Sequence, residues 1–334
     1  MNGTNRTCLT PREAKLLVRY LDGVDDAVTA RLSSGFSPHE DHLTSLICEM
    51  LDDNLTALNR LSFPLTELQA ELAKDPRKLK AAFSIETRKY PPHIERRLTS
   101  SDIGMIVSYR DHLVPSHSFE TGALFQAKRL FPSQRRGESA YSLADRFESF
   151  ETEQLVRIAI LDRDAGHPEM HRHRMGHGGL CHYLFYCPRP EAYDERSREE
   201  IHRYLVPSGN IFDYAMGWHL YELASDPERH TPGLIATGIH WLGNTYLEWS
   251  DQRVPSIRDK KGKPSARDVF QQMWQEAFPL SWFLVYGMLL DHRGSSSPDH
   301  LALVRGQTTA QDTDTPLLPR YVVTVRVEAG TERG

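Results

Sequence analysis

The chain has 334 residues, of which 25% are charged and 39% hydrophobic, and its net charge of −5 is the balance of 40 Lys and Arg against 45 Asp and Glu. These values exclude a disordered, fibrous or uniformly basic nucleic-acid-coating chain, while the length admits one large domain or one domain with a substantial extension. No apolar run reaches the roughly 18–20 residues that cross a bilayer, residues 1–10 lack a signal-peptide layout and the four cysteines form no CxxC pair, so a cytoplasmic protein with no disulfide framework and no membrane contact is expected.

Apolar spacing predicts helices over 11–32 and 38–60 and a shorter one near 64–80. Strands follow at 82–89, 102–109 and 122–130, then a long helix at 140–162 and a strand at 182–187 (HYLFYC). Connection lengths allow the first three strands to be meander neighbours, giving an α/β core. Beyond residue 190 the patterns weaken. Segments 233–242, 301–304 and 321–327 look like strands, and 266–278 and 282–290 like helices. The break at 188–194 (PRPEAYD) divides a core, 1–190, from a C-terminal α+β extension, 191–334, whose strands could also continue the first sheet.

Three polar groups stand where periodicity places apolar company. Alternation in 101–109 puts Asp102 on one face with Gly104 and Ile106, and in 123–131 it puts Gln126 and Lys128 on one face with Leu124 and Leu130. If the strands are neighbours with matching faces, Asp102, Gln126 and Lys128 converge among apolar side chains, where unpaired polar groups are costly. On the second helix Glu40 falls on the inner stripe of Leu43, Ile47 and Met50, whereas Asp41 and Glu49 fall away from it. The alternative is a capping box, in which Ser37 and Pro38 open the helix and Glu40 closes its start. Gln154 sits in the stripe of Leu143, Phe147, Phe150, Ile158 and Leu161, as a satisfied core amide or as a functional one.

The order of Glu40 on a helix, Asp102 opening a strand, Gln126-Ala127-Lys128 on the next strand and Gln154 on a following helix resembles the PD-(D/E)xK nuclease superfamily. The wording around these positions, EDHLT, SSDIG and FQAKR, resembles nucleases of bacterial anti-phage defence, and the match covers about residues 37–190. The resemblance implies a restriction-endonuclease-like αβββαβ core with a mixed sheet flanked by helices. It further implies hydrolysis of DNA phosphodiester bonds with Mg²⁺ or Mn²⁺, under control of a partner protein or by assembly of copies. In it, Asp102, Gln126, the Ala127 carbonyl and Glu40 hold the metal, Lys128 stabilises charge on the phosphate and Gln154 supports the site. Gln126 stands where the family has a carboxylate, and Ser101 where it has proline. The other reading of the same motif is a catalytically silent module that binds nucleic acid or a partner protein.

Two further features are weaker. His167, His171, His173, His177, Cys181 and His182 crowd a Gly-rich stretch, but their spacing fits no zinc finger, and a solvated loop is the simpler account. Arg129, Arg135, Arg136, Arg163, Arg172 and Arg174 could line a phosphate-facing rim or be ordinary surface charge.

Overall fold

The computed structural model describes residues 9–33, 39–52, 61–74, 80–89, 101–132, 140–147, 179–205, 233–238, 264–272, 277–290, 292, 294–307 and 319–331. Helix α1 (Pro11–Leu32) starts where the sequence says it should. The Thr10 hydroxyl accepts from the Glu13 N–H, and the Glu13 carboxylate accepts from the Thr10 N–H at 2.6 Å, while Pro11 occupies a position whose N–H would have no helical partner. Helices α2 (Glu40–Leu51) and α3 (Leu65–Leu72) follow. Strands β1 (Lys80–Lys89), β2 (Ile103–Asp111), β3 (Phe119–Phe131), the two-residue β4 (Arg146–Phe147) and β5 (Cys181–Tyr186) come next. After α4 (Glu195–Leu205) come β6 (Leu234–Gly238), α5 (Ala266–Gln272) and β7 (Ala277–Pro279). One turn of helix, α6 (Leu280–Trp282), runs into a π-helical stretch, Phe283–Leu290, and α7 (Pro298–Val304) and β8 (Tyr321–Thr331) complete the order.

The strands form one mixed, open sheet of eight, ordered β1-β8-β2-β3-β5-β6-β7, with β4 on β3. The expected meander of the first three strands is therefore interrupted: β8 lies between β1, to which it is antiparallel, and β2, to which it is parallel. Its residues account for that place. Tyr321, Val323, Val325 and Val327 pack into one core while Val322 packs into the other, and a strand covered on both faces belongs in the interior of a sheet. The strands after residue 190 thus join the sheet of the N-terminal half.

Two cores result, one on each face. On the first, Leu17 and Val24 of α1 and Leu43 and Ile47 of α2 cover Met105 and Phe125. On the second, α4, α5 and α7 bring Ile201, Phe270 and Val304 against Leu124, Tyr183 and Phe185. Gly104 makes the second packing possible: a Cβ there would lie 2.6 Å from the Val304 carbonyl oxygen, so α7 rests directly on the β2 backbone.

Three element assignments change. Residues 140–147 do not begin a helix: Asp145 closes a turn by accepting from the Ser142 N–H at 2.7 Å, and Phe147 pairs with Leu130 as β4. Leu143 and Phe147 are four apart, a spacing that serves a turn followed by a strand as well as a helix. Residues 301–304 lie in α7 rather than in a strand, since Pro298 and Asp299 open a helix ahead of that short apolar run. Residues 277 and 278, read as the end of a helix, belong with Pro279 to β7 and pair with β6 instead. Among the described residues no helix is long and apolar enough to cross a membrane.

Candidate functional site

Strand β3 outruns its neighbour. Ladder pairing of β2 with β3 starts at Ile103 opposite Phe125, so the last six residues of β3 have no β2 beside them. On β3 the N–H groups of even residues turn toward β5, as Leu124 donating to Leu180 shows, and those of odd residues turn toward the vacated side. The N–H groups of Ala127 and Arg129 therefore lack ladder partners, and buried backbone groups must find others. Two carboxylates supply them: Asp102 Oδ2 accepts from Ala127 N at 2.7 Å, and Glu40 Oε2 accepts from Arg129 N at 3.1 Å.

Asp102 is pinned by its own backbone. Its N–H donates to the Phe125 carbonyl at 2.9 Å, and its carbonyl accepts from Tyr321 N at 3.0 Å, so the residue bridges β3 and β8 just before β2 begins. Glu40 is held through α2. Thr44 hydrogen-bonds both the Glu40 carbonyl, at 3.1 Å, and the Tyr186 hydroxyl on β5, at 2.8 Å. Of the two readings of Glu40, the side chain makes the inward contact: the residue capping α2 is His39, with no side-chain cap bond, and Ser37 and Pro38 lie outside the described residues.

The Gln126 amide nitrogen lies 2.5 Å from Asp102 Oδ2 and 3.3 Å from the Ala127 carbonyl oxygen. An N–H group between two oxygen acceptors occupies a place that suits a cation, and a half-turn of the amide replaces its nitrogen by its oxygen. With the amide so turned, Asp102, Gln126 and the Ala127 carbonyl would present three neighbouring oxygens, a set that would suit Mg²⁺ or Mn²⁺ with the remaining positions left to water. The electrostatics agree. Burial pushes the Asp102 carboxyl up to about 6 against the lowering influence of the Ala127 N–H and of Lys128 and Arg320, so a lone charge is disfavoured there and a cation would relieve it. Neighbouring odd-residue N–H groups on a strand are about 7 Å apart, whereas two donors on one Mg²⁺ are at most about 4 Å apart. As placed, Glu40 would reach an ion held at Asp102 only through a water.

Lys128 is buried, on the same face as Gln126, and its charge is felt at Asp102. Glu40, Asp102, Gln126, Ala127 and Lys128 thus gather at the uncovered end of β3, while Gln154 lies outside the described residues. Among the described residues no three His, Cys, Asp or Glu side chains cluster as a metal's donors; the set above relies on an amide and a main-chain carbonyl. The zinc alternative loses two of its members. Cys181 and His182 are successive residues of β5 and turn to opposite faces, His182 packing against Phe125 and edge-on to Phe283. The other four histidines lie outside the described residues.

Sequence reasoning missed Arg320 and Asp41. The Arg320 guanidinium Nη1 meets Asp41 Oδ2 at 3.1 Å, and both charges act on the Asp102 carboxyl. Arg320 arrives with β8, more than two hundred residues after Asp41 and Asp102 in sequence, and no local signal announces it. No family model, curated protein or solved structure matches the chain.

Proposed function

We propose that the protein is a divalent-metal-dependent endonuclease hydrolysing phosphodiester bonds of DNA, on a restriction-endonuclease-like core formed by α2, β2, β3 and β5. The observation that supports this most is the convergence of the Asp102 carboxylate, the Gln126 amide and the Ala127 carbonyl at a point beside buried Lys128. The core differs from the expected one in that β8 separates β1 from β2.

The ion, Mg²⁺ or Mn²⁺, would neutralise charge on the scissile phosphate and lower the pKa of an attacking water. The protein's own groups do the rest. Asp102, the Ala127 carbonyl and, with its amide oxygen turned inward, Gln126 would hold the ion, Glu40 would orient water and Lys128 would offer its ammonium to phosphate oxygens as charge develops. A regulatory partner or self-assembly would restrain such an enzyme, and the wording shared with defence nucleases suggests phage DNA as target. One observation favours the silent-module reading: the Gln126 amide by itself donates to Asp102 Oδ2 and to the Ala127 carbonyl. Plasmid DNA incubated with Mg²⁺ or Mn²⁺ decides between the two. The nuclease reading expects cleavage that Lys128→Ala lowers by about 10²-fold or more in a folded protein, and it fails if wild type leaves the plasmid intact.

A further inference from the structure

At the end of the sheet beside Asp102, two cations gather on one aromatic ring. Arg320, which precedes β8, and Lys89, which ends β1, each lie 5.4 Å from the centroid of Tyr321. Tyr321 is the residue whose N–H holds the Asp102 carbonyl, so this pair and the carboxylate share one backbone junction. The two cations differ in freedom. Lys89 is exposed at the strand end, whereas the Arg320 side chain is only 16% exposed and its Nη1 is covered by Asp41, a side chain that is itself 64% exposed on the first turn of α2. A guanidinium buried along its length and capped by one exposed carboxylate is an anion site with its own carboxylate in place.

We propose that Arg320, assisted by Lys89, binds a backbone phosphate of the nucleic acid next to the one at Asp102, and that Asp41 is the internal anion which this phosphate displaces. The inference deepens the nuclease reading and rests on it for the identity of the ligand. A phosphodiester carries one full charge and presents two oxygens to the planar guanidinium, as a carboxylate does, so the exchange needs only a swing of the exposed Asp41 side chain. Arg320 is a binding and positioning residue in this account, not a group that touches the reacting atoms.

The test is binding of a short labelled DNA duplex, followed by anisotropy in EDTA across a range of salt concentrations, so that no cleavage or metal is involved. Each phosphate contact contributes about 0.9 to the slope of log affinity against log salt. Arg320→Gln should lower affinity and reduce that slope by about one contact. Asp41→Asn, which leaves Arg320 and its packing in place, should raise affinity several-fold, and this gain should vanish in the double variant because no guanidinium is left to release. A gain that persists in the Arg320→Gln background would show a general charge effect and overturn the proposal, as would an unchanged salt slope in folded Arg320→Gln. Should wild type bind with this pattern yet cut nothing, the phosphate site stands and the nuclease reading falls. Absence of any DNA binding by wild type overturns the phosphate site directly.

Discussion

Asp25 and Asp102 both accept from backbone N–H groups and both have their carboxyl raised by burial, and the contrast between them separates a carboxylate that ties elements together from the one proposed to hold an ion. Asp25, on α1, accepts from Gly233 N at 3.1 and 3.2 Å and from Leu234 N at 3.1 Å, and the Arg189 guanidinium stands 3.5 Å away. All of these partners are donors or cations, and together they tie α1 to the start of β6. Asp102 instead meets one N–H, one reorientable amide and the vicinity of a carbonyl oxygen, with Lys128 nearby. Burial pushes Asp25 up to about 7 and Asp102 to about 6, so the shift alone does not tell the two apart. A shifted pKa marks a desolvated carboxylate; the chemistry of its neighbours says what that carboxylate is for.

The contrast predicts opposite phenotypes. Asp102→Asn removes the only charged ligand at the proposed ion, and both it and Lys128→Ala should cost about 10²-fold or more in cleavage while melting near the wild-type temperature. Asp25→Asn should leave the cleavage rate of folded protein unchanged and act on stability alone. Equal cleavage by folded Asp102→Asn and wild type would remove the distinction.

A second expectation follows from the sign of the Asp25 shift. Its native pKa is raised above the ordinary value of 3.8, so between those values the native state holds a proton that the unfolded chain has lost. The stabilisation from this group is complete below 3.8, declines across the window and is gone as pH rises through about 7. Denaturant titrations of wild type and Asp25→Asn should diverge with pH by an amount on the order of 4 kcal/mol across that window. Parallel curves would contradict the assignment.

The junction at Gly233 offers a third. A Cβ on Gly233 would fall 1.9 Å from Thr29 Cγ2 and 2.7 Å from Asp25 Oδ1. Gly233→Ala should therefore destabilise the fold by about 3 kcal/mol, read as a shift in denaturation midpoint, without changing the metal requirement for cleavage. The smallest effect belongs to Glu40→Gln. Its amide oxygen can still accept from Arg129 N, so folding should be kept, and the loss of charge should appear as a need for more Mg²⁺ to reach the same rate. An identical Mg²⁺ dependence would leave Glu40 as a tie between α2 and β3 only.

Local pattern carried α1, β2, β3 and β5 because their signals are local: helical spacing of apolar residues over 11–32, strand-forming runs at 102–109 and 122–130 and a compact aromatic run at 182–187. Strand parity put Gln126 and Lys128 on one face, and helical spacing turned Glu40 inward. What sequence could not show is which strands neighbour each other. Tyr321–Val327 reads as a strand, but nothing in it states that it enters between β1 and β2, and with it the reason that Asp102 is fixed and Arg320 stands nearby. Short apolar runs failed for a different reason. Residues 301–304 and the pair Leu143 and Phe147 satisfy strand and helix templates equally, and the tertiary contacts of α7 and β4 decided.

The central claim, that Asp102, Gln126 and the Ala127 carbonyl form a cation site, is tested most directly by calorimetric titration of Mg²⁺ and Mn²⁺ into wild type and Gln126→Glu. The account predicts binding by wild type and tighter binding by Gln126→Glu, because a charged oxygen replaces a neutral one beside Asp102. In that variant the added carboxylate should also make stability depend on the metal, since two buried acids without an ion repel each other. No detectable binding of either ion by either protein would contradict the account and leave a hydrogen-bonded strand end in its place.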